Sequence, residues 1–289
     1  MKPSNLGFRG DLAAQIIHSP KPHTARSIRI PGIGRAILTR DPGAALLTAR
    51  EVFATHLQAT HRNRAGEVVG VHDLGSGLVT NVGVTALAND YAWAQNAQTL
   101  KLANWHASGT GATAAAATDI ALQTLAGPTT TKAVAGAQSL VSEANKQTYR
   151  TVATINYTET LAITEWGLLT AEALSATTGT PFTAAAAKEA TVTGTPYTAS
   201  SASVQGEQQL IVKAGTTTVY GLVLSNTTSK LIIPAWYKVA DGTAGSTPGA
   251  TEAFTLLPVL WDHKVFAALN VVSGDSIVWT YSLACVSGG

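Results

Sequence analysis

With 289 residues the chain is long enough to bury a full hydrophobic core, and only 12% of those residues are charged, about half the share of a typical soluble domain. The six tryptophans exclude a chain that is disordered throughout, and the single cysteine, Cys285, excludes an internal disulfide and a cysteine-based zinc site. Because no apolar run reaches the ~18 residues of a membrane span and no signal-peptide core is present, we expect synthesis in the cytoplasm and no membrane insertion.

The first 48 residues are predicted to form an extended basic arm. Five prolines interrupt every helical pattern, and the apolar pieces between them are short. Residues 1–72 carry two lysines and eight arginines against four acidic residues, a net charge of +6, whereas the remaining 217 residues sum to −4. Guanidinium groups pair well with carboxylates and backbone carbonyls. We therefore expect the arm to dock on a protein partner through Arg9, Arg26, Arg29, Arg35 and Arg40.

Nucleic acid is not expected as the partner of this arm. Its charges are separated by prolines and apolar residues, and Phe8 is the single Phe, Tyr or Trp among them. A tail that stays unstructured is the alternative.

A central β-rich domain is predicted over residues 49–174, and it begins with a β-hairpin. Residues 49–62 partly alternate like a strand, Asn63-Arg-Ala-Gly66 supplies a turn, and residues 67–72 return as a second strand. After the break at Gly75-Ser-Gly77, Asn81 is a candidate cap for a helix over 81–94.

The stretch Gly109-x-Gly111-x-x-Ala114 has the spacing of a dinucleotide-binding loop, and a strand-like run precedes it. A dinucleotide site also needs alternating strands and helices and an acidic residue about 20 positions further on. Asp119 comes only eight residues after Gly111, and the next acid, Glu143, comes 32 residues after it. We therefore expect Gly109, Gly111 and Asp119 to be a scaffold turn, and we expect no cofactor.

The rest of the chain is predicted to be β-structure around a linker. Alternating patterns predict strands at 149–157 and 161–169, and a Thr/Ala-rich linker spans 175–203. Residues 204–289 are predicted to form a C-terminal, jelly-roll-like β-sandwich, because turn residues separate six strand candidates: Gln209–Lys213, Thr217–Leu224, Lys230–Val239, Ala253–Leu257, Lys264–Val271 and Ser276–Cys285. The predicted fold is thus mainly β, with an N-terminal arm, a central domain containing one or two helices, and a terminal sandwich.

Three short pieces occur in an order that resembles small structural proteins of tailed bacteriophages, including those of the tail-collar fibre type. They are Leu78-Val-Thr-Asn-Val-Gly83 before a helix, Gly109-Thr-Gly111 with Asp119-Ile-Ala-Leu122 after a strand, and Glu165-Trp-Gly-Leu168. The resemblance covers about residues 67–175, and an obvious Glu-x-x-Arg between the second and third pieces is missing. It implies that the glycine turn is scaffold and that the domain assembles into virion parts.

Other combinations of polar residues are weaker signals of chemistry. His56 and His61 are five apart, so on a strand they lie on opposite faces, which disfavours a shared metal ion. Neither His72-Asp73 nor Asp262-His263 is accompanied by a nucleophile motif. Glu159 and Glu165 are six apart, which fits paired carboxylates for glycoside cleavage and neighbouring exposed positions equally well. We expect no catalytic residue and no metal site, and histidines that are solvated or lie in interfaces.

The favoured function is that of a non-enzymatic virion protein of a tailed phage, either tail-associated or capsid-decorating, with other virion proteins as partners. Residues 204–289 contain four lysines, no arginine and five acids, and so little charge favours a segment that folds alone and forms a homo-oligomer, with a trimer preferred.

A carbohydrate-binding module that recognises a host-surface glycan is the alternative, and an enzyme such as a polysaccharide depolymerase ranks last. Four aromatic residues decide between the structural protein and the carbohydrate-binding module: Trp236, Tyr237, Trp261 and Trp279. Clustered on an exposed face they would stack on sugars, and buried they would form core.

Overall fold

A computed structural model of the chain describes residues 27–30, 34–38, 45–47, 53–92, 102–126, 133–144, 146–172, 177–179, 189–191, 208–214, 217–223, 225–248 and 254–286. In chain order its elements are β1 (Ser27–Ile30), β2 (Gly34–Leu38), β3 (Ala45–Leu47), β4 (Phe53–Arg62), β5 (Val68–Gly75), β6 (Leu78–Val79), α1 (Asn81–Ala92), β7 (Trp105–Gly109), β8 (Leu125–Ala126), β9 (Ala133–Ala135), β10 (Ala137–Glu143), β11 (Lys146–Asn156), β12 (Leu161–Leu169), β13 (Thr177–Gly179), β14 (Glu189–Thr191), β15 (Gln208–Ala214), β16 (Thr217–Leu222), β17 (Ser225–Asn226), β18 (Lys230–Ile232), β19 (Trp236–Lys238), β20 (Phe254–Pro258), β21 (Leu260–Val271) and β22 (Ser276–Val286). The protein is mainly β, as the sequence predicts.

Two antiparallel sheets pack face to face and enclose the main core. The front sheet has the strand order β10-β11-β22-β4-β5, and the back sheet has the order β6-β21-β12-β7-β8, with β9 also paired to β7. Alternating residues point inwards, which is why each strand contributes every second side chain to this core. Trp166 stacks on Tyr281 with ring centroids 5.5 Å apart and makes a tilted contact with Trp279 at 6.4 Å. Such aromatic pairs add about 0.5–1.5 kcal/mol beyond the area that they bury.

The last two strands, β21 and β22, belong to this sandwich. The sequence instead predicts a separate domain that begins at residue 204. β22 lies between β11 and β4, in a continuous register that runs from Lys146↔Val286 to Asn156↔Ser276 on one side. β21 lies between β12 and β6 in the back sheet. Residues 204–289 therefore do not form a sandwich of their own.

A third sheet, with the order β13-β20-β15-β16-β19, is formed between residues 177 and 258, and β14-β18-β17 form a small fourth sheet. The strands β13 and β14 arise from the stretch predicted to be a linker, where they pair with β20 and β18. Apart from those few residues, the linker lies outside the described residues.

The helix α1 packs between the back sheet and the third sheet. Its Val82 and Ala86 are buried with Tyr220 and Val259. The cap is Thr80 rather than the predicted Asn81, because the Thr80 hydroxyl accepts a hydrogen bond from the Gly83 N–H at 3.0 Å, as an N-cap side chain does. No helix in the described part of the chain has the length and apolar character of a membrane span.

The predicted hairpin is confirmed as β4 and β5. Its turn is closed by the Asn63 side chain, whose oxygen accepts hydrogen bonds from the N–H groups of Ala65 and Glu67 at 3.0 Å each. Gly66 takes a φ of +83°, which only glycine adopts at little cost.

Within the predicted arm, β1, β2 and β3 form a three-stranded antiparallel sheet rather than one extended segment. Arg29 lies on β1 and Arg35 on β2, whereas Arg9, Arg26 and Arg40 lie outside the described residues.

Candidate functional site

The outer face of the back sheet carries a buried polar centre made of Asp119, Glu165 and His263. His263 lies between the two carboxylates: its Nδ1 is 2.7 Å from Asp119 Oδ2, and its Nε2 is 2.9 Å from Glu165 Oε1. The side chains of His263 and Glu165 are fully buried, and that of Asp119 is 23% exposed. We call these three residues the Asp–His–Glu centre.

The pairing of β12 with β21 places two members of the centre side by side. Gly167 is the cross-strand neighbour of His263, and Glu165 is two positions away from Gly167 on the same face. Trp166 and Leu168 point the other way, into the core between the two sheets. The alternation of Glu-Trp-Gly-Leu thus separates a polar outer face from an apolar inner face.

Glu165 holds both ends of the loop that connects β7 to β8. Its Oε1 accepts the Gln123 N–H at 2.7 Å, and its Oε2 accepts the N–H groups of Gly111 at 3.2 Å and Thr124 at 3.3 Å. The middle of the loop is turned by Asp119, whose Oδ2 also accepts the Ala116 N–H at 2.7 Å. A loop of this length, without helix or strand, is therefore fixed by two carboxylates, the buried Glu165 and the partly exposed Asp119.

Gly109 and Gly111 leave room for the Glu165 carboxylate. A Cβ on Gly111 would lie 2.6 Å from Glu165 Oε2, and one on Gly109 would overlap the same oxygen. The alanine-rich run after Gly111 is irregular rather than helical. The strand–loop–helix of a dinucleotide site is thus not formed at residues 105–126, and the Gly111 N–H binds the protein's own carboxylate where a phosphate would otherwise be bound.

The three sequence pieces that carry the phage resemblance meet at this centre and at β21. In the first piece, Gly83 allows the helix to approach the strand, since a Cβ there would lie 2.6 Å from the Trp261 carbonyl oxygen. The Asn81 N–H donates to the Ala117 carbonyl of the loop at 2.7 Å. Gly167 of the third piece leaves room for Leu122 of the second piece, since a Cβ on Gly167 would lie 2.8 Å from the Leu122 side chain.

The centre is strongly coupled electrostatically. Burial lowers the pKa of His263, but its hydrogen bonds with Glu165 and Asp119 outweigh that effect, and the net pKa is raised. Burial raises the pKa of Glu165, but hydrogen bonds from His263 and from the Gln123 and Thr124 N–H groups outweigh it, and the net pKa is lowered. Both shifts favour an imidazolium between two carboxylates. Neither ring nitrogen is left to take a proton from a bound molecule.

Asp262, the neighbour of His263, is a second buried acid, and its burial was not predicted from the sequence. Its side chain is fully buried, and neither carboxylate oxygen has a hydrogen-bond partner of normal geometry. Burial raises its pKa to about 7. Gly77 contacts this carboxylate so closely that a Cβ would overlap it.

A cavity of about 380 Å³ opens beside the centre, with His263 in its wall. It is lined by the loop residues Ala112, Ala114 and Ala115, by Ser76–Leu78, and by Lys264, Val265 and Phe266. Lys264 is tied to the rim through a 2.6 Å hydrogen bond from its Nζ to the Ser76 carbonyl. The cavity is apolar apart from His263, Ser76 and Lys264.

The remaining candidate residues are distributed over the molecule. His56 pairs with Asp73 at 2.9 Å, and His61 pairs with Asp275 at 2.9 Å. Glu159 is exposed, so it does not share a cleft with the buried Glu165. In the described ranges, no group of three or more His, Cys, Asp or Glu side chains is arranged so that it could hold a metal ion.

The expectation that histidines are solvated or in interfaces is wrong for two of them. His263 is buried in the polar centre, and His106 is buried against Trp166, whose Nε1 donates to His106 Nδ1 at 3.3 Å. Burial lowers the pKa of His106 to about 3. The alternation of apolar and polar residues does not predict that His263 and His106 are buried, because the strands that cover them are distant in the chain.

Comparisons with known proteins identify no relative. Family models, curated proteins and solved structures each give no match to the chain.

Proposed function

We propose that the protein is a non-enzymatic structural subunit of a bacteriophage virion, tail-associated or capsid-decorating, that docks through its N-terminal arm. The observation that carries this proposal is the convergence of the three resemblance pieces on one packed junction. Each of their glycines makes room for a neighbouring group, and Glu165 and Asp119 fasten the loop. These residues act as scaffold, which is the role that the resemblance implies for them.

Exposed apolar side chains on β5 favour a protein that is part of a larger assembly. β5 is an edge strand of the front sheet, and its Val69 and Val71 are 55% and 59% exposed. Charges, prolines and bulges usually protect edge strands that stay free in solution, and β5 has Asp73 and two register shifts in its pairing with β4. Its exposed valines, in a chain with only 12% charged residues, still favour coverage by a neighbouring subunit.

The arm has a feature that suits an acidic partner. The antiparallel register of β1 and β2 puts Arg29 directly opposite Arg35. Residues 1–48 carry two lysines and five arginines against two acidic residues. This positive charge supports docking of the arm on an acidic protein surface.

Burial of the aromatic residues weighs against the carbohydrate-binding alternative. Trp261 and Trp279 are fully buried, Trp236 is 6% exposed, and Tyr237 stacks on the buried Tyr220. Sugar-binding platforms need aromatic faces open to solvent. The three tryptophans are buried, and Tyr237 is half-buried with its ring packed on Tyr220.

The test is incorporation into particles. Particles produced in a host that carries the gene are purified, and their proteins are identified by mass spectrometry. We expect the full chain in the particle fraction and its loss when residues 1–48 are deleted. Replacing Arg29 and Arg35 by glutamine should weaken incorporation, whereas Arg62→Gln with Arg64→Gln, at the β4–β5 turn, serves as the matched control. A full chain that is absent from particles, or normal incorporation without the arm, contradicts the proposal.

A further inference from the structure

With Asp119 and Glu165 both ionised, the geometry of His263 fits an imidazolium, in which each ring nitrogen carries a proton. Nδ1 and Nε2 each lie within hydrogen-bond distance of a carboxylate oxygen, at 2.7 Å and 2.9 Å. A neutral imidazole has only one N–H, so its other nitrogen would face a carboxylate lone pair. Loss of the proton must therefore break one of the two contacts.

The two contacts differ in what remains after that loss. Glu165 keeps three backbone N–H donors from Gly111, Gln123 and Thr124 and is fully buried. Asp119 keeps one, from Ala116, and is partly exposed, so water can replace the imidazole. The contact with Asp119 is the one that should open, while Glu165 retains the ends of the loop.

The segment Ala112–Asp119 lies between those two ends. It lines the cavity through Ala112, Ala114 and Ala115 and reaches α1 through the hydrogen bond from the Asn81 N–H to the Ala117 carbonyl. Its polar contact with β21 is the one between Asp119 and His263. Because Thr113 is tied to Gln123 by two hydrogen bonds, at 3.0 and 2.6 Å, we propose that the residues after it, Ala114–Asp119, form a pH-sensitive latch, closed on β21 by protonated His263 and released when His263 loses that proton.

Release would open the cavity and loosen the start of α1 without unfolding the sandwich, because the loop ends stay bound to Glu165. This device is independent of the virion role, since it follows from the hydrogen bonds of one loop. It would give the protein two states of the same surface, selected by pH.

The groups around His263 determine the direction of the switch. Asp119 from the loop and Glu165 from β12 face it, and both stabilise its charged form. On β21 itself, Asp262 and Lys264 are its neighbours, and residues 76–78 contribute no titratable side chain. Because the pKa of His263 is raised, the latch remains closed above the ordinary histidine pKa of about 6.5 and opens as pH rises through the raised value.

Hydrogen exchange on the full chain tests the latch. After correction for intrinsic rates, amides of residues 114–119 should exchange at least about tenfold faster at about pH 9 than at about pH 6, while those of 123–126 stay protected. His263→Gln, which cannot titrate, should expose 114–119 equally at both pH values. His61→Gln is the matched control, because His61 also pairs with a carboxylate but lies at the end of β4, and it should keep the wild-type response.

Two further variants keep the test decisive if His263→Gln does not fold. Asp119→Ala removes the contact with His263 Nδ1 and keeps that of Glu165 with His263, and it should leave 114–119 exposed at both pH values. Asp262→Asn should keep the pH response, which separates the latch from ionisation of its buried neighbour. An unchanged pH response in Asp119→Ala, or none in the wild type, overturns the proposal. So does a neutral imidazole at about pH 6 in the nitrogen NMR spectrum of His263.

Discussion

Glu165 is the residue on which most of the loop depends. Its carboxylate accepts hydrogen bonds from three backbone N–H groups and from His263, and its side chain is completely buried. A buried charge is tolerated only where donors of this kind replace water. The glycines beside it are needed for the same reason, because they let the backbone approach the oxygens.

Replacing Glu165 by glutamine should therefore be costly although the two side chains have nearly the same shape. Glutamine offers one acceptor oxygen, and its NH₂ group would face N–H donors; the imidazolium would also lose a counter-charge. We expect a loss of about 3 kcal/mol in the free energy of unfolding, measured by urea titration. Glu159→Gln, at an exposed position, is the control and should change stability by less than about 0.5 kcal/mol. Equal stabilities of the two variants would contradict this role for Glu165.

Elements that are close in sequence were predictable, and elements joined over long distances were not. The β4–β5 hairpin follows from alternation and from the turn Asn63-Arg-Ala-Gly66, and five of the six strand candidates after residue 204 correspond to single strands; Lys230–Val239 instead holds both β18 and β19. The Asp–His–Glu centre joins residues 98 and 144 positions apart. Periodicity reports which face of a strand is buried and carries no information about its partner strand.

The glycine-rich pieces illustrate the same limit. The spacing of the glycines fits either a nucleotide-binding loop or a plain turn. The nucleotide-binding loop is disfavoured because no alternation of strands and helices surrounds it. The actual requirement, space for Glu165 beside Gly109 and Gly111, depends on a strand that follows 54 residues later. Burial of His106 and of Asp262 was likewise invisible, because each is enclosed by strands from both halves of the chain.

The junction between β12 and the loop can be tested through the pair Gly167 and Leu122. A Cβ on Gly167 would lie 2.8 Å from Leu122 Cδ2 and 2.9 Å from Leu260 Cδ1, so Gly167→Ala should cost about 1–3 kcal/mol by overpacking. Leu122→Ala removes one of the two obstructing groups and also loses apolar contacts. The double variant should be less destabilised than the sum of the single variants by about 0.5 kcal/mol or more.

That cycle is measured by chemical denaturation of all four proteins. Gly167→Ala with Leu140→Ala is the matched pair, because Leu140 lies on the front sheet and is 68% exposed. Their effects should add. Simple additivity for Gly167 and Leu122 as well would show that the loop does not rest on β12 through this contact.

For the molecule as a whole, the sandwich is closed by the end of the chain. β22 fills the gap between β11 and β4, and β21 fills the gap between β12 and β6. The front sheet would fall into two hairpins without β22, and an isolated two-stranded hairpin is at best marginally stable in water. The inner side chains of both strands, among them Trp261, Trp279 and Tyr281, are fully buried against the other strands.

A fragment of residues 204–289 should therefore fail to fold alone, contrary to what its strand-rich sequence suggests. Its β21 and β22 would expose the three buried aromatic side chains and leave their pairing edges free, which favours aggregation over a defined oligomer. We expect no cooperative thermal transition for this fragment in circular dichroism. A fragment of residues 1–203 should be equally unfolded, since β4 and β11 lose their common neighbour. Co-expression of the two fragments should restore a soluble complex with a cooperative transition, because the register between β22 and its neighbours is fixed by side chains present in both pieces. A soluble, cooperatively folded 204–289 on its own would show that the third sheet holds these strands without the sandwich.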